Sequence, residues 1–141
     1  MKSIGIIGSR KRDSNWDFLL CEIEFLKAYC LGDIIISGGC KYGGDKFAEI
    51  LAKKYNVEIE IFYANWDLHG KKAGFLRNID IAEKSDIIIA VTNNPENKYE
   101  GGTGDTIKKA EKMGKQIILV PQVPIQPIQE NKEFDPLELP I

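Results

Sequence analysis

With 141 residues the chain has the length of one ordinary domain, and its 43% hydrophobic and 28% charged residues are the balance of a globular protein with a core. A formal net charge of -2 argues against a protein that holds nucleic acid by bulk electrostatics. No run approaches the ~18 apolar residues of a membrane span, and Met1-Lys2-Ser3 leads into a strand pattern and not a signal peptide, so a cytoplasmic protein without membrane contact is expected.

The first apolar run, residues 4–7, is continuous and does not alternate, as in a strand covered on both faces. Ser14 with Asp17 three residues on reads as a capped helix start. Trp16, Leu19, Leu20, Ile23, Leu26 and Cys30 follow at helical spacing, and Gly32 is expected to stop the run. Cys21 and Cys30 would face opposite ways on that helix, so they are read as reduced thiols that pack, not as a disulfide. A strand at 34–36 precedes a helix from about 45 to 55, with Ala48, Leu51, Ala52 and Tyr55 on one face. A strand at 59–62 precedes a helix from about 72 to 84, burying Leu76, Ile79 and Ala82. A strand at 87–91 precedes a helix from about 105 to 113, with Ile107, Ala110 and Met113 inward and Gly114 just past its end. Residues 117–120 make the fifth strand.

Strands alternating with helix-length crossovers predict an α/β fold, a Rossmann-like three-layer sandwich with a mainly parallel five-stranded sheet over residues 1–120. From 121 the character changes. Pro121, Pro124, Pro127, Pro136 and Pro140 exclude helix or central strand, while Val123, Ile125, Ile128, Phe134, Leu137, Leu139 and Ile141 stay apolar. An extended Pro-rich C-terminal arm, 121–141, is expected to lie on the domain or on a second subunit.

Loops leaving the carboxyl ends of parallel strands gather on one rim, where ligands bind. Gly8-Ser9-Arg10 offers backbone amides and a guanidinium to an anion. In the next loop, Gly38, Gly39, Gly43 and Gly44 imply close backbone approach ahead of a helix, with Cys40 among them. Asp45 is either a helix cap or an acceptor for a ribose hydroxyl. Further on, Trp66 supplies a flat surface for a base; His69, Lys71, Lys72 and Arg77 supply cations, with Gly74 and Asn78 beside them. Arg77 is expected in the first turns of its helix, facing an anion or a carboxylate such as Asp80. Gly101, Gly102, Thr103, Gly104, Asp105 and Thr106 repeat the phosphate-cradle pattern in a loop opening the last helix. A single histidine and no CxxC spacing supply a zinc site poorly, so no metal is expected.

Gly8-Ser9-Arg10, the loop from Gly39 to Asp45, Ala64-Asn65-Trp66, the block Gly70-Lys71-Lys72-Ala73-Gly74-Phe75-Leu76-Arg77-Asn78 and Gly102-Thr103-Gly104-Asp105-Thr106-Ile107 together resemble the YspA-like group of the SLOG superfamily. The resemblance runs in unbroken order over about residues 1–120, and its specific part is the Gly-Lys to Arg-Asn block. It implies a Rossmann-like protein that binds a nucleotide or nucleotide-derived ligand, NAD- or ADP-ribose-like or a nucleoside phosphate, as a sensor or sequestering protein. It also implies a homodimer or higher homo-oligomer, and no cofactor is expected to be required. A DprA-like DNA-handling role follows from the same superfamily, but the chain has no basic stripe, so a nucleic-acid partner is not expected. The related lonely-guy hydrolases carry Pro-Gly-Gly-x-Gly-Thr-x-x-Glu, where this chain has Asp105 for the Thr and Lys108 for the Glu. The alternative is therefore an N-glycosidase or phosphoribohydrolase using Asp45 or Asp105, with His69 as proton carrier.

Overall fold

The computed structural model describes residues 1–94 and 96–122. The expected C-terminal arm lies outside them, apart from Pro121 and Gln122. The strands are β1 (Ser3–Gly8), β2 (Ile34–Ser37), β3 (Ile59–Ile61), β4 (Ile87–Val91) and β5 (Gln116–Leu119). They form one sheet in the order β3-β2-β1-β4-β5, with every neighbouring pair parallel. The helices are α1 (Asn15–Ala28), α2 (Gly44–Tyr55), α3 (Trp66–His69), α4 (Ala73–Lys84) and α5 (Gly101–Lys112), with a 3-10 turn over Gly70–Lys72 between α3 and α4.

The continuous apolar runs are strands buried on both faces, and their residues divide between two cores with the period of two that a pleated backbone imposes. Ile4, Ile6, Ile35, Ile89 and Val91 face α1 and α2, where Phe18, Cys21, Phe25, Phe47, Ala48 and Leu51 complete the first core. Ile7, Ile36, Ile88 and Ala90 face α4 and α5, meeting Ile81, Ala82, Ile107 and Ala110. Chain growth thus runs from β1 outward to β3 with helices on one face. It then returns across β1 to β4 and β5 with helices on the other.

Several expectations within the helices are corrected. α1 begins on the predicted cap: Asp17 N–H donates to Ser14 Oγ at 3.1 Å, and Ser14 N–H to Asp17 Oδ2 at 3.3 Å. Its buried stripe, however, is Phe18, Cys21, Glu22 and Phe25, while Trp16, Ile23 and Leu26 are exposed. The helix also ends at Ala28, well before Gly32, because Asp33 takes the Cys30 amide at 2.8 Å and fixes the turn there. Cys30 therefore lies beyond the helix and is exposed, not packed; Cys21 is buried as expected. In α4 the inward residues are Ala73, Asn78, Ile81 and Ala82, with Leu76 exposed and Ile79 half-buried. In α5, Ile107 and Ala110 are buried but Met113 is exposed. Gly114 takes a left-handed φ of 76° after the helix, as predicted.

Candidate functional site

Because β2 lies on one side of β1 and β4 on the other, the loops leaving β1 and β4 diverge to opposite faces and leave a crevice between them. This is the switch point at which open parallel sheets bind ligands. A cleft of about 380 Å³ opens there. Its floor is Ile7, Gly8 and Ile81; its walls are Ser9, Arg10 and Lys11 after β1, Cys40 before α2 and Asp45 in its first turn, Arg77 and Asn78 on α4, and Thr92, Asn93, Asn94, Asn97 and Glu100 with the first turns of α5.

Two glycines make the first wall possible. A Cβ on Gly44 would stand 2.2 Å from the Ile7 carbonyl carbon and 2.3 Å from the Gly8 nitrogen, so only glycine lets the start of α2 rest on the end of β1. Gly43, at φ 71°, would meet the Ser9 carbonyl oxygen at 2.3 Å. Asp13 fastens this junction, accepting the Gly43 amide at 2.7 Å and the Lys46 ammonium at 2.6 Å. These glycines build the site without lining it.

The opposite wall is the first turn of α5. Gly101, Gly102 and Thr103 line the cleft as helical residues, not as a loop before the helix. Glu100 is the N-cap and supplies no side-chain cap. The amides of Gly101, Gly102 and Thr103 have no acceptor among the described residues, as expected for a helix start left open. Gly101 has a φ of 69°, which accounts for its glycine. Gly102 has no such reason: its φ is ordinary, and an added Cβ would meet nothing within 4 Å. Gly104 is a packing glycine, its Cβ position lying 2.0 Å from the Tyr99 carbonyl carbon.

A polar ladder joins the two walls. Arg77 donates from Nη1 to the Gly38 carbonyl at 2.7 Å and from Nε to Asn78 Oδ1 at 3.1 Å. Asn78, only 6% exposed, donates to Asp105 Oδ2 at 3.0 Å and to the Gly102 carbonyl at 3.3 Å. Lys109 completes the ladder through an ion pair with Asp105. Arg77 is thus the fifth residue of α4, held by a carbonyl and a carboxamide and not by Asp80. Arg10, by contrast, is exposed and makes no hydrogen bond or ion pair among the described residues.

Asp45 is the second residue of α2 and does not cap it; Gly43 holds the cap position. Its Oδ2 accepts the Cys40 amide at 3.0 Å. Burial pushes its pKa above the ordinary carboxylate value, against the lowering pull of the Cys40 and Gly38 amides and the Arg77 charge. Gly38 separates the two side chains: a Cβ there would sit 2.7 Å from Arg77 Nη1 and 2.9 Å from Asp45 Oδ2.

Of the residues predicted from sequence, the cleft brings together Gly8, Ser9, Arg10, Cys40, Asp45, Arg77, Asn78, Gly101, Gly102, Thr103 and Thr106. Gly38, Gly43, Gly44, Gly104 and Asp105 stand behind the lining residues, and Gly39 faces Tyr63 and Ile61 instead. Trp66, His69, Lys71 and Gly74 are not part of it. Trp66 and His69 lie exposed on α3, Lys71 is exposed in the following turn, and a Cβ on Gly74 would stand 3.3 Å from the Trp66 ring. Trp66 instead borders a second, shallow depression with Tyr63, Ala64, Asn65 and Asp67.

Lys11, Thr92, Asn93, Asn94, Asn97 and Glu100 also line the cleft and are not among the ligand-binding residues expected from the sequence. The available signal was the polar triplet Thr92-Asn93-Asn94 directly after a buried strand, the counterpart of Gly8-Ser9-Arg10. Arg12, only 2% exposed, is a further residue that the sequence did not single out. Arg12 donates to the carbonyls of Thr92 at 3.1 Å, Val120 at 3.0 Å and Pro121 at 2.8 Å, and pairs with Asp17 at 2.8 Å. That one side chain ties the β1 loop to the ends of β4 and β5.

No helix among the described residues is long and apolar enough to cross a membrane. No protein-family model matches the chain. It is 33% identical over 127 residues to the Gene 61 protein of Mycobacterium phage D29, an alignment that takes in 84% of this chain and 95% of the phage protein. At that identity, along nearly the whole length of the phage protein, the chain belongs to the family of the phage D29 Gene 61 protein.

Proposed function

We propose that this protein binds a nucleotide or nucleotide-derived ligand through its phosphate, as a sensor or sequestering protein, and that it is a SLOG-like relative of the YspA group. The observation that carries the reading is Gly102. Glycine in a helix costs about 1 kcal/mol relative to alanine, and neither backbone conformation nor packing requires it at this position. A ligand approaching the helix start closely would require it. The three amides of that turn without protein acceptors, the positive end of the α5 dipole and the guanidiniums of Arg10 and Arg77 surround the same space. Cleft-lining cations outnumber carboxylates, with Arg10, Lys11 and Arg77 against Asp45 and Glu100.

Titration calorimetry with AMP, NAD and ADP-ribose tests this reading, with Arg10→Ala as the first variant because Arg10 has no structural duty among the described residues. Binding by the wild type, weakened at least tenfold in Arg10→Ala at an unchanged melting temperature, is expected. A wild type that binds none of the three overturns the proposal. The hydrolase alternative draws on Asp45, a buried carboxylate at the cleft, and turnover that releases free base and is lost in Asp45→Ala would favour it. At least a homodimer belongs to the same proposal, and sedimentation equilibrium measures it.

A further inference from the structure

Resting on the phosphate-binding reading above, we propose that Asp45 is the acceptor for a sugar diol, so that the cleft selects ligands carrying ribose next to the phosphate over their 2′-deoxy counterparts.

The cleft is chemically two-ended. At one end donors predominate: the amides of Gly101, Gly102 and Thr103, with the side chains of Arg10 and Lys11 on the facing wall, while the one carboxylate there, Glu100, is exposed and accepts from Asn94 Nδ2 at 3.1 Å. At the other end stands Asp45, 9% exposed and able only to accept when ionised. The carboxylate meets the Cys40 amide at 3.0 Å and lies within reach of the Gly38 amide. A carboxylate has about four acceptor positions, so capacity remains. Arg77 does not use it, because its Nη1 and Nε go to Gly38 and Asn78. The upward push of burial on the Asp45 pKa has the same origin: the ionised group has fewer partners than it had in water.

Charge then orders the ligand. A phosphate against Asp45 would place two anions together in a partly enclosed space, so the phosphate belongs at the α5 end. What meets Asp45 must donate. The two ends are bridged by consecutive residues, since Asn78 holds the Gly102 carbonyl while Arg77 holds the Gly38 carbonyl beside Asp45. A span of that kind suits the sugar bonded directly to the phosphate, whose vicinal hydroxyls offer two donors to one carboxylate. A base lies one ring further away.

Base-free probes separate sugar from base. Ribose 5-phosphate, 2-deoxyribose 5-phosphate and inorganic phosphate would be titrated, by amide chemical shifts, into the full chain and into Asp45→Asn. The asparagine keeps an oxygen for the Cys40 amide, and its melting temperature reports whether the fold is intact. The wild type is expected to bind ribose 5-phosphate about tenfold or more tightly than the deoxy sugar, the range of a hydrogen bond to a charged group. Asp45→Asn should bring the two sugars within about threefold while inorganic phosphate binds as well or better, a negative charge having been removed. Equal affinities for the two sugars in the wild type, with phosphate binding intact, overturn the diol assignment and leave the phosphate site standing. Equal weakening of both sugars in Asp45→Asn also overturns it. If none of the probes shifts any cleft amide, the phosphate-binding reading fails, and this inference with it. Should Asp45→Asn prove unstable, the wild-type ratio alone decides.

Discussion

Replacing Asn78 by alanine would break the one side chain that holds both walls of the cleft in register. Asn78 gives up a bond from the Arg77 guanidinium at 3.1 Å, one to the Asp105 carboxylate at 3.0 Å and a longer one to the Gly102 carbonyl at 3.3 Å. Two of these involve a charge, for which about 1.5–3 kcal/mol each is typical. Water entering from the cleft would recover part of that, and alanine returns about 0.6 kcal/mol as the better helix former. A net loss of about 2 kcal/mol follows, or a fall in melting temperature of about 6–10 °C for a domain of this size. Urea unfolding followed by far-ultraviolet circular dichroism should show a lower midpoint at unchanged slope. Asn78→Asp should be worse than alanine, because it sets a second carboxylate against Asp105, and Asp105→Asn should restore part of the loss. An Asn78→Ala protein within about 0.5 kcal/mol of the wild type would refute the reasoning, since surface substitutions reach no further than that.

Gly102→Ala should leave stability unchanged or raised by up to about 1 kcal/mol yet abolish nucleotide binding in calorimetry, whereas Gly44→Ala, with its Cβ 2.2 Å from the Ile7 carbonyl carbon, should lose about 3 kcal/mol or fail to fold. Acid should weaken the β1–β2 edge first. Burial pushes the Asp33 carboxyl up, but Lys2 through both its ammonium and its amide, together with the Cys30 amide, overcomes this and holds the pKa at about 2. Its folded value lies below its unfolded one, so the contribution, about 2 kcal/mol, is complete above pH ~4 and lost as pH falls towards 2; Asp33→Asn should flatten that limb of the stability profile. Alkylation followed by mass spectrometry should modify exposed Cys30 first, Cys40 more slowly and less again with ligand bound. Cys21, whose thiol burial pushes up to about 12, should react only on unfolding.

The sheet was legible in the sequence because strands covered on both faces leave unbroken Ile-rich runs, and the observed bounds fall within a residue or two of them. The helix faces were harder to read where apolar residues surround the axis. In α1, Trp16, Phe18, Leu19, Leu20, Ile23, Phe25 and Leu26 support more than one stripe, and only packing against β4 and α2 selects Phe18, Cys21 and Phe25. The glycine clusters fall at and behind the cleft but concealed different causes: close packing at Gly44 and Gly104 and backbone conformation at Gly101, while Gly102 borders open space. No local pattern distinguishes these. The Asn-rich wall after β4 carries neither glycine nor cation, so composition gave it no weight. Arg12 was not legible because a cation is expected in water, and its carbonyl partners follow the ends of β4 and β5, 80 to 109 residues further along the chain.

Central strand β1 belongs to two halves at once, pairing with β2 on one flank and β4 on the other. A molecule seated between the ends of β1 and β4 straddles the seam where an early-synthesised half meets a later one. Occupancy would therefore act as mortar between them, slowing hydrogen exchange along β1 and β4 more than at the outer strands. A ligand bound there would make itself felt through the tightness of the protein's own middle, without any segment having to swing.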